Sequence, residues 1–186
     1  MNLWFRLLWY LLTLRFRPHL EVPEGVSRLA FRVWPHDLDT SLHLNNGRYL
    51  TLMDLGRLDV MAASGLMKAA LRHRWTPVAS AIKIRYRREL TLFQRFAIET
   101  RILTWSREAV VMEQRFVVMG GAKDGQLAAH ALFKGGLYDR AEKRFVPIAR
   151  LMQEVGVEAE APEPTPEVAA FLAADDALKT AARQNS

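Results

Sequence analysis

Between residues 36 and 46 the chain gathers two acids, two histidines and two asparagines: His36, Asp37, Asp39, His43, Asn45 and Asn46. These are too many polar groups for a casual loop entering a core. Directly behind them, from Gly47 to about Ala63, the apolar spacing turns helical. A helix N-terminus offers free backbone N–H groups and the positive end of the dipole. Such a place can hold a carbonyl oxygen as it becomes an oxyanion. A carboxylate beside it can attack that carbonyl, or orient and deprotonate a water. Other chemistries lack their signals. There is no G-x-S-x-G elbow, phosphate loop, G-x-G-x-x-G or H-E-x-x-H run. With no cysteine, thiolate metal sites, disulfides and cysteine nucleophiles are excluded together. A metal site built from His36, Asp37, Asp39 and His43 has no ligand-spacing logic behind it, so no metal and no cofactor is expected.

The surrounding pattern says which elements must position this loop. Residues 28–34 alternate and predict a strand leading into it. Asn45 or Asn46 is the expected N-cap of the helix that follows. Tyr49, Leu50, Leu52, Met53, Leu55, Leu58, Val60 and Met61 cover more than one face of that helix, which predicts a buried element, and Gly56 permits a close approach. After a short helical piece at 66–74, strands are expected at 77–86, 96–105, 109–119 and 127–138. Gly120-Gly121 and Asp124-Gly125 frame a hairpin loop, and Gly135-Gly136 indicates a bulge or a close backbone contact. One helix can be buried only by a sheet that curls around it, so an α+β fold with a sheet wrapped on a central helix is predicted.

Half of the 186 residues are hydrophobic and a quarter are charged, which suits one packed domain with appendages. The net charge of +6 is uneven: seven acids against Lys179 and Arg183 fall in residues 154–186, leaving +11 on the rest. A basic body attracts phosphates of any kind. Residues 1–20 form an apolar amphipathic segment with no acid before Glu21. As a helix, Leu3 to Phe16 would be roughly 20 Å long, short of the roughly 30 Å of a bilayer core. Asn2, Arg6, Tyr10, Thr13 and Arg17 share one narrow stripe, with Leu and Trp elsewhere. This fits a helix lying in a membrane interface, or one packed on the body or a partner subunit. The main domain is expected at 27–156, closing with a short helix at 147–155. A Pro/Glu linker follows at 157–166, then a helix at 167–186, capped by Thr165 and opening with Pro166.

Asp37-Leu38-Asp39, with His43-Leu44-Asn45-Asn46-Gly47-Arg48-Tyr49 after three intervening residues, resembles the D-x-D-x-x-G-H-x-N-N-x-x-Y signature of hotdog-fold acyl-CoA thioesterases. The branch resembled is the 4-hydroxybenzoyl-CoA thioesterase-like one, over roughly residues 27–140. The resemblance implies a hotdog fold, hydrolysis of an acyl-CoA to free acid and CoA, and a homodimer or homotetramer with active sites between subunits. It makes Asp39 the catalytic carboxylate, as nucleophile or general base, and gives the polarising N–H groups to about Asn46, Gly47 and Arg48. His43, Asn45, Arg48 and Tyr49 would surround the substrate, with His43 and Asn46 pinning the loop. One position departs from the signature: Leu42 stands where the family commonly has glycine. A Glu on the central helix, which some hotdog thioesterases use, is missing, although Asp54 and Asp59 are present.

Each of these residues has a plainer reading beside the functional one. Asp39 could simply cap the loop or the helix. Asp37 is expected to be structural, accepting loop N–H groups. Lys83, Arg85 and Arg87 alternate, with Arg88 beside them. They read either as a solvated sheet edge or as a landing site for the phosphates of CoA. No nucleic-acid partner is expected, because exposed aromatics are not interleaved with these cations. The expected protein is thus a cytoplasmic thioesterase, with the apolar N-terminus at the inner face of a membrane as an extension of that reading. The alternative is a non-catalytic acyl-CoA or acyl-carrier-binding hotdog protein at a membrane surface.

Overall fold

A computed structural model describes residues 2–158 and 160–184. The expected segments reaching Met1, Ala159, Asn185 and Ser186, and the side chain of Asn2 in the N-terminal stripe, lie outside the described residues. Helices are α1 (Asn2–Thr13), α2 (Asn46–Ala63), α3 (Leu66–Arg72), α4 (Ile148–Gln153) and α5 (Pro166–Gln184). Strands are β1 (Ser27–Arg32), β2 (Trp75–Tyr86), β3 (Arg95–Trp105), β4 (Val110–Met119), β5 (Leu127–Asp139) and β6 (Arg144–Phe145). The strands form one antiparallel sheet in the order β1-β3-β4-β5-β2, with β6 added on β5. This sheet wraps α2 in the hotdog arrangement that the periodicity requires.

Alternation along each strand decides which residues meet α2. Phe96, Ile98, Thr100, Gln114, Phe116 and Ala131 are buried on the concave side. The helix sinks deep into that surface because residue 56 is glycine. A Cβ there would stand 2.5 Å from Thr100 Oγ1 and 2.8 Å from Gln114 Nε2. Gln114 is fully buried and fully used: its Nε2 donates to Met53 O (2.9 Å) and Thr100 Oγ1 (3.1 Å), and its Oε1 accepts from Arg57 (2.8 Å). A buried amide whose groups are paired offsets its desolvation and fixes depth and register.

The convex side carries a cross-strand ladder of charge, with Arg101 on Glu113 (2.7 Å) and His130 on Glu113 (2.7 Å). Beyond the ladder α5 lies against it, burying Val168 and Phe171 with Val111 and Leu132. Lys134 and Asp175 meet there at 2.7 Å, both nearly buried. The linker is tied down as well, Thr104 donating to Pro162 O at 2.6 Å.

Three details bear on the sequence expectation. The first strand ends at Arg32, because Pro35 starts a single 3-10 turn over Pro35–Asp37. The close backbone contact expected at the paired glycines is present: a Cβ on Gly136 would be 2.3 Å from the carbonyl oxygen of Glu108, and the accompanying register shift falls on the facing strand, between Ala79 and Ala81 of β2 opposite Gly135. The third concerns α1. Its polar stripe faces inward, Tyr10 being buried and Arg6 ion-paired with Asp37. Its apolar side faces out, with Trp4, Phe5, Leu8, Trp9, Leu11 and Leu12 all exposed. No helix among the described residues is long and apolar enough to cross a membrane.

Candidate active site

The loop between β1 and α2 is organised by Asp37, which is completely buried. Its Oδ2 accepts from Trp34 N at 2.9 Å and pairs with Arg6, while Oδ1 lies 3.9 Å from Arg48 Nε. Its own carbonyl accepts from Asn45 N at 2.9 Å. One acid thus binds the strand end, the helix start and α1 together, which is the structural role its position implies.

Asp39 is held differently. Its Oδ1 accepts from Ser41 N (2.9 Å) and His43 N (3.2 Å), an Asx-type closure of the turn. Its backbone N–H donates to His43 O at 2.9 Å, and its carbonyl accepts from Leu42 N at 3.1 Å. The second carboxylate oxygen takes no hydrogen bond from the described residues. The turn passes through Leu42 at φ +63°, in the left-handed region. That is the physical reason for a glycine at this point in the signature. Leu42 adopts the same conformation at a local cost, its side chain 69% exposed.

At the helix start, Asn45 is the N-cap, its Oδ1 accepting from Gly47 N at 2.9 Å. Arg48 N donates to Asn45 O at 2.8 Å. Of the three amides that the family likeness implicates, Gly47 and Arg48 are therefore spent on the cap. The Asn46 N–H is engaged by no group among the described residues. It stands at the positive end of an 18-residue helix.

Asp39, His43, Asn46, Tyr49, Arg87 and Arg88 share one open cleft of about 410 Å³. His43 Nε2 lies 3.2 Å from Glu89, anchoring the loop to the segment after β2. Tyr49 is a wall: buried, it meets Tyr86 edge-on with centroids 5.0 Å apart, and burial followed by Tyr86 pushes its hydroxyl well above the ordinary range. Arg48 turns to the loop instead, reaching His36 O at 3.3 Å. Arg85 is exposed and lies outside the residues that line the cleft; strand alternation sets it on the convex side, opposite His130. Arg87 and Arg88 enter because the chain leaves the strand at Tyr86, and both donate backbone N–H groups to Ala128 O. Sequence reasoning missed Lys123, which comes from the hairpin after β4 and also lines the cleft. Nothing local in the chain connects a loop residue that distant with residue 39. No group of three or more His, Asp or Glu side chains among the described residues could hold a metal ion.

The thioesterase-like superfamily model matches residues 33–172. The chain is 36% identical over 121 residues to the protein named THEM6 of Xenopus laevis, covering 64% of this chain and 58% of that one. It is 35% identical over 130 residues to THEM6 of Danio rerio, covering 69% and 63%. These matches span about three-fifths of the length of those relatives. Among solved structures, the probable thioesterase YbaW of Escherichia coli superposes with a TM-score of 0.63 at 23% identity, over 69% of this chain and 94% of that one. A mutant 4-hydroxybenzoyl-CoA thioesterase complexed with 4-hydroxybenzoyl-CoA superposes with 0.61 at 14% identity, over 69% and 96%. By sequence model and by fold, the chain belongs to the thioesterase-like superfamily and is a hotdog protein.

Proposed function

We propose that this chain hydrolyses acyl-CoA thioesters to a free acid and CoA. The observation that carries the reading is that Asp39 and Asn46, the helix-start residue whose N–H is uncommitted among the described residues, line one cleft together with Arg87, Arg88 and Lys123. With Oδ1 clamped by two backbone N–H groups, Oδ2 of Asp39 is the oxygen that acts. As general base it takes a proton from a water whose oxygen adds to the thioester carbonyl; as nucleophile it adds to that carbonyl itself. In either case the Asn46 N–H and the helix dipole stabilise the oxyanion, and collapse breaks the C–S bond and releases CoA. The general base returns its proton to the thiolate with the acid already formed, whereas the nucleophile is left as an acyl anhydride that a water then cleaves to the free acid and the Asp39 carboxylate. The three cations suit the phosphates of CoA. The test is thiol release from acyl-CoAs of varied chain length, wild type beside Asp39→Asn. A loss of roughly 10²–10⁴-fold with the fold retained is expected. Full activity in the variant would remove Asp39 from the chemistry; saturable binding without turnover in the wild type would support the non-catalytic acyl-CoA-binding alternative.

Within this reading the chain works as a homodimer at least. The outer edge of β2 is unpaired over twelve residues among those described, and open edges of that length are normally covered. An antiparallel two-fold pairing centred near Ile82 would set Tyr86, a cleft residue, against about Val78 of the partner subunit. Sedimentation equilibrium tests this: a mass of one chain at micromolar concentration would refute it.

The outward apolar side of α1 favours a membrane contact. Because the polar stripe is the docked side, Trp4, Leu8 and Trp9, each more than half exposed, can be changed with the ion pairs that hold α1 left in place. Trp4→Gln with Leu8→Gln and Trp9→Gln should abolish co-sedimentation with anionic liposomes and leave Tm unchanged. Retained sedimentation would refute the contact; a changed oligomeric mass would assign this side of α1 to a partner subunit.

A further inference from the structure

Away from the loop cleft, a second cavity of about 230 Å³ opens between α2, β2 and β5. Its walls are apolar, formed by residues such as Val78, Met61 and Leu137, except where Arg57 and Asp54 reach it from α2. Arg57 is the anomaly. Its side chain is only 12% exposed. Its Nη1 donates to Gln114 Oε1 at 2.8 Å, its Nη2 is bonded to Asp54, and its guanidinium lies 4.1 Å from the centroid of Phe133. A guanidinium carries five N–H donors. Burying one beside an apolar cavity costs free energy unless those donors are used. Asp54 is 63% exposed, so its carboxylate keeps acceptor capacity at the cavity's edge.

The pair therefore presents donors and an acceptor together with no net charge. That combination does not favour a carboxylate or an ammonium. It suits a neutral hydroxyl, which accepts from Arg57 and donates to Asp54 at once. Size narrows the choice further. An engineered apolar cavity of about 150 Å³ holds benzene, so this one accommodates an aryl ring or a short alkyl chain with a small substituent.

We propose that this cavity binds a small, neutral, hydroxyl-bearing apolar group, with the hydroxyl held between Arg57 and Asp54. That the group is the far end of a thioester's acyl chain rests on the hydrolase reading above and on the β2 pairing, which brings Val78 of the partner subunit beside the cleft. The cavity's own preference depends on neither.

The probes are phenol and toluene, alike in size and differing in the hydroxyl, titrated into the full chain by heteronuclear NMR. Phenol should bind tenfold or more tightly than toluene, the scale of a hydrogen bond to a charged group. In Arg57→Met the two affinities should come within about twofold, with toluene binding retained. Asp54→Ala changes an exposed residue and keeps the test open if Arg57→Met unfolds; it should also shrink the phenol preference. Equal binding of the two probes by the wild type, or binding of neither, would overturn the proposal. A phenol preference in a protein that hydrolyses no acyl-CoA, hydroxylated or plain, supports the cavity assignment and counts against the hydrolase reading alone.

Discussion

Gly56→Ala is the sharpest test of how α2 is seated. On an exposed helix this change is favourable, by about 1 kcal/mol in propensity. Here the added methyl would stand 2.5 Å from Thr100 Oγ1, 2.8 Å from Gln114 Nε2 and 3.3 Å from Ile98 Cγ2. Neither polar neighbour can step aside freely. Gln114 is held by Met53 O, Thr100 Oγ1 and Arg57, and Thr100 is fully buried on the interior strand β3. Overpacking of this kind costs about 1–3 kcal/mol. Loss of one or two buried hydrogen bonds adds about 1 kcal/mol each. Against the propensity gain, the net expectation is a destabilisation of about 2–3 kcal/mol, or a fall in Tm of roughly 5–10 °C for a chain of this size.

The assay is urea and thermal unfolding of Gly56→Ala, Thr100→Ala and the double variant. Thr100→Ala removes the closest atom, so the two changes should be non-additive, with the double variant recovering about 1 kcal/mol relative to the sum. Strict additivity, or a Gly56→Ala variant as stable as wild type, would mean that the helix does not lie this close to the sheet. The cavity beside Arg57 would then lose its wall.

Other positions give independent tests. Leu42→Gly relieves a left-handed residue whose side chain buries little. It should leave thiol release unchanged or raised and stabilise by up to about 1 kcal/mol, the strain offset in part by glycine's looser unfolded state. A large loss would show that the leucine side chain is itself needed. Asp175→Asn should cost about 3 kcal/mol by stranding Lys134, with amide exchange in α5 rising first. The Lys134 ammonium, then Lys179, hold the Asp175 carboxyl below the ordinary carboxylate range. A lowered folded value means the stabilisation is present above the unfolded value of about 4 and is lost as pH falls through the folded one. Wild-type α5 should therefore loosen below about pH 4, and Asp175→Asn should flatten that dependence. An α5 equally protected at pH 3 and pH 7 would refute the role of the pair.

Much of this architecture could be read from the residues, because hydrophobic period is a strong signal. The run from Tyr49 to Met61 is apolar on too many sides for a surface helix, and Asn45 caps it as its type and place suggest. Strand positions followed from alternation to within a residue or two. The cleft was legible in the eleven residues around Asp39, in Tyr49 one turn into the helix, and in the cations Arg87 and Arg88. Lys123 and Glu89 come to it by tertiary folding, and no spacing rule reaches that far. Arg85 and Arg87 share a parity, yet the strand ends between them at Tyr86, so one stays on the convex face and the other turns into the cleft. Which amides at the helix start remain available was equally hidden, since it depends on where Asn45 Oδ1 points.

The N-terminal helix shows how the same pattern supports opposite orientations. A polar stripe of Arg6, Tyr10 and Arg17 beside Leu and Trp ordinarily means polar side out. Here the body supplies buried acids that reverse the preference: Asp37 for Arg6, and Asp59 for Arg17 at 3.7 Å. Asp59 is also bonded by Ser27 at 2.6 Å and raises the Tyr10 hydroxyl beyond what burial alone does. Leaving either acid unpaired in a core costs about 3–5 kcal/mol. The orientation therefore depends on two ion pairs, and removing one should be felt at a distance. Arg6→Met should destabilise by about 2–3 kcal/mol, because it removes the closest cation of the buried Asp37 carboxylate, with Arg48 and His36 standing farther off at 3.9 and 3.7 Å. Because Asp37 anchors the loop that presents Asp39, thiol release should fall with it, while liposome binding through Trp4, Leu8 and Trp9 persists. A variant that keeps full stability and turnover but leaves the liposome would show that the arginine serves the bilayer rather than the loop.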